Sequence, residues 1–197
     1  MAANTLHSEQ FPAEPSPDAH EHRTRIGWWP SLLGLGAGLL GGGGDGTSVT
    51  IASVVAVIAL IYVAAAVTDR PPTAWWSLLV SIPVVLSGRL TGVAALPFLI
   101  MAVLALALII IGWRRGTWAR ACNRLQLYAL AGFGAIAVAG ALTDGTVAAL
   151  LIAGGLIAHA AWDAVHLVRR SVVGPRYAEL CAVLDAVLGL TILWGLL

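Results

Sequence analysis

Long apolar runs separated by short polar stretches dominate this chain from residue 28 to residue 197. A membrane-spanning helix needs roughly 20 predominantly apolar residues, within a range of about 17 to 25. Seven runs approach or reach that length, and they predict an all-α, multi-pass transmembrane helical bundle. The seven predicted spans are 28–43, 47–67, 73–87, 92–113, 125–142, 146–168 and 182–197.

The composition supports a membrane environment. The chain is 59% hydrophobic and only 11% charged, whereas soluble domains carry about 25% charged residues. Such a chain has too little polar surface to cover a water-soluble globule, so we expect the lipid bilayer to be its main partner. The net charge is +1, so the chain does not have the excess of basic residues that is typical of a nucleic-acid-binding protein.

The first 26 residues differ from the rest because they combine mixed charge, prolines and few apolar side chains. This composition predicts a disordered tail followed by a transmembrane domain at 27–197. Three histidines lie in the tail, His7, His20 and His22. We interpret them as part of a solvated segment.

Arginine accounts for all 11 basic residues of the chain. With seven spans, every arginine except Arg89 falls on the same side of the membrane as the N-terminus. Because cytoplasmic loops collect basic residues, this pattern predicts a cytoplasmic N-terminus. The expected location is the plasma membrane, and the arginine-only usage favours a bacterial inner membrane.

Small and aromatic residues add detail to the predicted bundle. Gly34 and Gly38 lie four residues apart on one helix face, which permits close approach of a second helix. Aromatic residues fall near the predicted span ends, where such rings anchor at lipid headgroups. These residues are Trp28, Trp29, Trp75, Trp76, Trp113, Trp118 and Tyr177.

A degenerate internal repeat is also predicted. The triplet Asp-Gly-Thr occurs at 45–47 and at 144–146, each time after a Gly/Ala-rich span and before the next one. The two copies would cover 27–90 and 125–197, with the span at 91–113 joining them. One joining span gives both copies the same orientation, so the expected layout is a 3+1+3 parallel repeat.

One cluster of ionisable residues interrupts the apolar pattern. His159, Asp163 and His166 stand at i, i+4 and i+7 of the sixth span and share one helix face. Ionisable residues inside a span are costly and mark functional sites by default. Cys181 and Asp185 have i, i+4 spacing near the start of the seventh span. Since the sixth and seventh spans should be antiparallel neighbours, all five side chains are expected to converge near the cytoplasmic leaflet.

This ligand set suits zinc or iron. Asp163 and His159 are the candidate catalytic groups, and His159, Asp163, His166, Asp185 and Cys181 are the candidate metal ligands. His159 and His166 are about 10.5 Å apart along the helix axis, so we do not expect both to hold one ion. Two other interpretations stay open, a proton relay and a polar packing contact.

Three functions are compatible with these residues. The first is a metal-dependent enzyme that acts on a lipid or amphipathic substrate through a metal-bound water. The second is a small proton-coupled carrier in which His159 and Asp163 form the protonatable switch. The third is a non-catalytic subunit of a membrane complex, or a homo-oligomer, which the short loops would suit.

Overall fold

Seven α-helices and one short 3₁₀ turn form the fold in the computed structural model, which describes residues 28–42 and 48–197. The predicted tail and the first Asp-Gly-Thr triplet lie outside the described residues. The helices are α1 (Trp28–Gly42), α2 (Ser48–Thr68), α3 (Thr73–Thr91), α4 (Leu96–Arg114), α5 (Ala121–Ala141), α6 (Gly145–Arg169) and α7 (Pro175–Trp194).

The prediction of an all-α multi-pass bundle is confirmed. Helices α2 to α7 are each long and apolar enough to cross a membrane, whereas α1 has 15 residues. Large apolar side chains face outward on these helices, for example Leu79, Val103 and Leu106 at 57%, 68% and 60% exposure. Such surfaces are suited to lipid, because burial against hydrocarbon replaces burial inside the protein.

Helix α2 lies at the centre of the bundle and contacts α3, α4, α5 and α6. Its sequence is apolar on all sides, which is typical of a helix surrounded by other helices. In its most apolar stretch 67% of the residues are buried, compared with 11% for α3. A polar side chain in the middle of α2 is therefore forced to find its partner within the protein.

Close backbone contact joins α1 to α7. A Cβ atom added at Gly34 would lie 2.5 Å from the Leu180 carbonyl oxygen, and one at Gly38 would lie 2.9 Å from Val187. The predicted close approach at these two glycines is confirmed. The contacts advance together along both helices, so α1 and α7 run parallel. Ser31 adds a 2.5 Å hydrogen bond to Glu179 near the start of both helices.

The odd-numbered helices begin at one end of the bundle, here called the N-terminal face. Apart from Arg89 near the end of α3, the arginines of the described residues lie at or near this face. There Arg120 binds Asp69 at 2.9 and 3.1 Å, and this hydrogen bond lowers the pKa of the Asp69 carboxyl. The charge asymmetry is therefore retained in three dimensions, while the assignment of the N-terminal face to the cytoplasm stays a prediction.

The start of the last helix differs from the prediction. Helix α7 begins at Pro175, seven residues before the predicted start of that span at 182. Proline is favoured in the first helical turn because the N–H groups of that turn have no partner within the helix, so the lack of one costs nothing. Gly174 precedes it with extended backbone. Asp185 consequently lies ten residues inside the helix instead of near its start.

The predicted 3+1+3 duplication stays a prediction. In the second copy, α5 packs against both α2 and α6, whereas its proposed counterpart α1 packs chiefly against α7. Asp144 of the second triplet occupies the N-cap position of α6 with extended backbone, but its carboxylate makes no capping hydrogen bond.

The end of α6 allows a test of backbone strain. Arg170 is exposed and adopts the left-handed conformation (φ 49°, ψ 43°) as the C-cap of α6. Glycine is favoured there because it has no Cβ clash. We expect Arg170→Gly to raise the free energy of unfolding by about 0.5–1 kcal/mol, since relief of left-handed strain exceeds the entropic cost of glycine.

Arg169→Gly provides the matched control, since it removes the same charge one residue earlier within the helix. It should lower the free energy of unfolding by about 1 kcal/mol, the cost of glycine in a helix. Denaturant titration in mixed micelles measures both variants. Equal destabilisation by the two substitutions would contradict the argument.

Candidate metal centre

Two helices bring one histidine and two aspartates together in the interior of the bundle. His159 and Asp163 come from α6, and Asp185 comes from α7. One ligand atom from each of the three residues lies within 4.8 Å of the others. All three residues are 0% exposed. His159 is ten residues from the end of α6, which places it about 15 Å below the N-terminal face.

One imidazole nitrogen faces both carboxylates. The Nδ1 atom of His159 is 3.1 Å from Asp185 Oδ2 and 3.4 Å from Asp163 Oδ2. From α2, the Tyr62 hydroxyl donates a hydrogen bond to Asp163 Oδ1. Among the described residues, neither His159 Nε2 nor Asp185 Oδ1 has a hydrogen-bond partner. Both carboxylate oxygens of Asp163 therefore have partners, whereas one carboxylate oxygen of Asp185 has none among the described residues.

The charges of the cluster do not balance by themselves. If both aspartates are ionised, an imidazolium at His159 neutralises only one of them. None of the arginines within 28–42 and 48–197 is buried, so no guanidinium supplies the missing charge. Because an unpaired charge in an apolar interior costs several kcal/mol, the cluster requires a further cation, either a proton or a metal ion.

The distances are compatible with coordination of a metal. Zinc binds nitrogen and carboxylate oxygen at about 2.0–2.2 Å, which gives donor–donor separations of about 3.3 Å in tetrahedral geometry. The observed separations of 3.1 and 3.4 Å lie on either side of that value. The free Asp185 Oδ1 would allow this carboxylate to bind with both oxygens. The same separations also fit hydrogen bonds, so the distances alone do not choose the cation.

Aromatic rings surround the cluster. The Phe133 ring lies 4.7 Å from the His159 ring, and the Tyr62 ring lies 5.6 Å away at a steep angle. These rings exclude water from the imidazole and fix its orientation. Tyr62 is 1% exposed, so its hydroxyl must be paired within the protein, and Asp163 supplies the acceptor. The hydrogen bond from Tyr62 orients Asp163, the role that a second layer of residues has in metal sites.

His166 was predicted as a ligand, but the structure does not bring it into the group. Its Nδ1 is 2.9 Å from the Trp162 carbonyl oxygen, and its Nε2 is 3.0 Å from the Gln126 side-chain nitrogen. A neutral imidazole that carries its proton on Nδ1 satisfies both contacts, because Nε2 then accepts from Gln126. Both nitrogens of His166 are therefore occupied by the protein, toward α5 and away from Asp185.

Cys181 also lies outside the group of ligand atoms. It is 4% exposed and packs in an apolar cluster with Ile61, Tyr62, Tyr177 and Ala178. All five candidate ligands were expected to converge, and Cys181 is not among the three whose ligand atoms do so in the described residues. The earlier start of α7 moves Asp185 deeper into the bundle, to the level of His159, and leaves Cys181 one helical turn nearer the N-terminal face.

Two residues of the site were not identified as such from the sequence. Tyr62 is the only aromatic hydroxyl in its span, and Gln126 stands close to the predicted start of the fifth span. Each is a polar side chain in an otherwise apolar stretch, which is a signal for an internal partner. The signal does not say which partner, because that depends on how α2 and α5 pack against α6.

Comparisons with protein-family models, with curated proteins and with solved structures found no match to this chain. A functional assignment therefore rests on the residues of the buried group, their distances and their surroundings.

Proposed function

We propose that this membrane protein binds a divalent transition metal, zinc or iron, through His159 Nδ1 and the carboxylates of Asp163 and Asp185. The observation that carries the proposal is the shared Nδ1 between two fully buried carboxylates, one of which has an unpartnered oxygen. A divalent ion would neutralise both carboxylates at once. Nitrogen and carboxylate ligands in this combination favour zinc and iron over magnesium or calcium.

A metal held in this way would have a coordination position free for water or substrate. Three protein ligands with one open position are typical of catalytic zinc sites, which supports the hypothesis of a metal-dependent enzyme. Tyr62 would orient Asp163, and the unpartnered Oδ1 of Asp185 would be available to accept a proton from the bound water. Because the three ligands are fully buried, a lipid or amphipathic substrate would need a movement of α6 against α7 to reach the metal.

The alternative of a proton-coupled carrier is favoured by a different feature of the same group. Tyr62, Asp163, His159 and Asp185 form a continuous series of hydrogen bonds that links α2, α6 and α7. With a proton in place of the metal, this series would connect the protonation state of the site to the packing of three helices. A metal ion in the site would therefore favour the enzyme, and a proton in its place would favour the carrier.

Metal content tests the proposal directly. We expect about one equivalent of zinc or iron in purified wild-type protein and its loss from Asp185→Asn, which keeps the side-chain volume but removes a charged ligand. The measurement is elemental mass spectrometry after expression in metal-supplemented medium and removal of loosely bound ions. A variant with both His159→Ala and Asp163→Ala should be metal-free as well.

His166→Phe is the matched control. This histidine lies on the same helix face as His159, but its nitrogens bind Gln126 and Trp162, so the metal content should be unchanged. Absence of metal from the wild type, even after incubation with zinc(II) and iron(II), would refute the proposal and leave the proton as occupant. Retention of full metal by Asp185→Asn would also refute it.

A further inference from the structure

A line of aromatic side chains connects the buried group to the N-terminal face. The Tyr62 and Tyr177 rings have centroids 6.4 Å apart, Tyr177 and Trp75 are 5.4 Å apart, and Trp75 and Trp29 are 6.0 Å apart. Tyr62 and Tyr177 are 1% and 0% exposed, whereas Trp75 and Trp29 are partly exposed. The line thus begins at a hydrogen-bond partner of Asp163 and ends at the surface.

The fold brings this line together from four helices. Trp29, Trp75 and Tyr177 each lie in the first turn of their helix, α1, α3 and α7, and these three helices all begin at the N-terminal face. Tyr62 continues the line inward from α2. A role as headgroup anchors accounts for partly exposed tryptophans, but Tyr177 is fully buried and the earlier prediction of an anchor there is wrong.

Anchoring also leaves the ring arrangement unexplained. Trp29 and Trp75 are stacked at an interplanar angle of 26°, and Trp75 and Tyr177 meet edge to face at 88°. Indole and phenol are the aromatic side chains that lose one electron most readily. Since electron tunnelling falls steeply with distance, neighbouring oxidisable rings form a faster route than the aliphatic side chains between them.

We propose that the line Tyr62–Tyr177–Trp75–Trp29 conducts single electrons between the His159–Asp163–Asp185 site and the N-terminal face. This inference rests on the proposed function, because the line needs a redox-active metal in the site and, of zinc and iron, only iron changes oxidation state. One electron would leave the site for each one-electron oxidant reduced at the surface, and iron(II) would become iron(III).

The tyrosine at the inner end has a place for its proton. When Tyr62 loses an electron, its phenolic proton moves along the existing hydrogen bond to Asp163 Oδ1. When Tyr62 regains an electron from the site, the proton returns. Each transfer therefore moves one electron outward and leaves the proton count of the cluster unchanged after the cycle.

The line can be tested in metal-free protein, so that failure of metal binding does not obscure the result. The probe is a membrane-impermeant ruthenium(III) tris-bipyridine, generated by light with a sacrificial acceptor and added to chelator-treated protein in nanodiscs. A Tyr128→Phe background removes the one exposed tyrosine. We expect a tyrosyl radical in freeze-quenched electron paramagnetic resonance spectra and its loss in Tyr62→Phe.

Interruption of the line distinguishes it from direct oxidation. Trp75→Phe keeps an aromatic ring in place but removes the oxidisable indole, and the yield of the Tyr62 radical should fall by at least an order of magnitude. Trp29→Phe should have the same effect at the surface end. Trp76→Phe is the control, because Trp76 is adjacent in sequence but 69% exposed and outside the line.

Each outcome is decisive for the line. A radical at Tyr62 that depends on Trp75 and Trp29, but not on Trp76, supports the proposal even if the protein is found to hold no metal. Equal yields in Trp75→Phe and Trp76→Phe overturn it, as does the absence of a Tyr62 radical in the parent protein. Metal binding in the wild type with no radical in the metal-free protein would overturn the line and leave the proposed metal site standing.

Discussion

His159→Leu is expected to lower the free energy of unfolding by about 3–5 kcal/mol in chelator-treated protein, the cost of breaking a buried charged group by removing one partner. The imidazole nitrogen Nδ1 lies within hydrogen-bond distance of both Asp163 and Asp185. Without it, two carboxylates face each other in an apolar interior and at least one must take up a proton. Leucine has nearly the same size, so loss of packing contributes little.

Removal of the whole polar group distinguishes the electrostatic cost of unpaired carboxylates from a loss of packing. A combined variant with Tyr62→Phe, His159→Leu, Asp163→Leu and Asp185→Leu removes both carboxylates of this group and the hydroxyl that donates to Asp163. Because apolar replacement of a complete buried ion cluster is often neutral or stabilising, the combined variant should be close to wild type in stability. The four single effects would then be strongly non-additive.

Unfolding in mixed micelles, followed by circular dichroism, measures these variants. Phe133→Leu is the control for packing, since Phe133 contacts the His159 ring but carries no charge. A His159→Leu effect no larger than that of Phe133→Leu would contradict the electrostatic argument. A combined variant that loses the sum of the single effects would contradict it as well.

Gly34→Leu is expected to destabilise the protein by about 3 kcal/mol or more, because overpacking against backbone cannot be relieved by a rotamer change. A Cβ at this position would lie 2.5 Å from the Leu180 carbonyl oxygen and 3.1 Å from the Leu184 amide nitrogen. Both atoms belong to the backbone of α7, so α1 must move away from α7. The hydrogen bond between Ser31 and Glu179 would be stretched by the same movement.

Gly36→Leu is the matched control on the same helix. A Cβ at Gly36 meets no atom within 4 Å, and the added side chain would extend into lipid. Its effect on the free energy of unfolding should stay within about 0.5 kcal/mol, as for most surface substitutions. Unfolding in mixed micelles compares the two variants, and equal effects would show that α1 does not depend on close approach to α7.

Much of the site was predictable, and the rest has a clear physical limit. His159 and Asp163 are four residues apart, so helical periodicity alone places them on one face. The match of Asp185 to His159 depends on how α7 is positioned along α6. That position is set by close packing, in which a Cβ at Gly189 would lie 2.9 Å from Ile157 and 3.1 Å from the Ala153 carbonyl oxygen.

His166 shows the same limit, because it was predicted to join the group and has other partners instead. It shares a helix face with His159, but the two residues lie about 10.5 Å apart along the axis, and different helices meet the face at those two levels. At the level of His159 the neighbour is Asp185 of α7, whereas at the level of His166 it is Gln126 of α5. Spacing within one helix predicts the direction of a side chain but not its partner.

The sequence by itself determined the all-α class, the approximate helix ends apart from the start of α7, and the shared helix face of His159 and Asp163. It did so because a chain in lipid must satisfy its backbone within each helix, and both apolar length and helical periodicity are local properties. Only the tertiary structure decided that Tyr62 and Asp185 join this pair while His166 and Cys181 do not. Those choices depend on the offset and rotation of neighbouring helices, which side-chain packing between distant parts of the chain fixes.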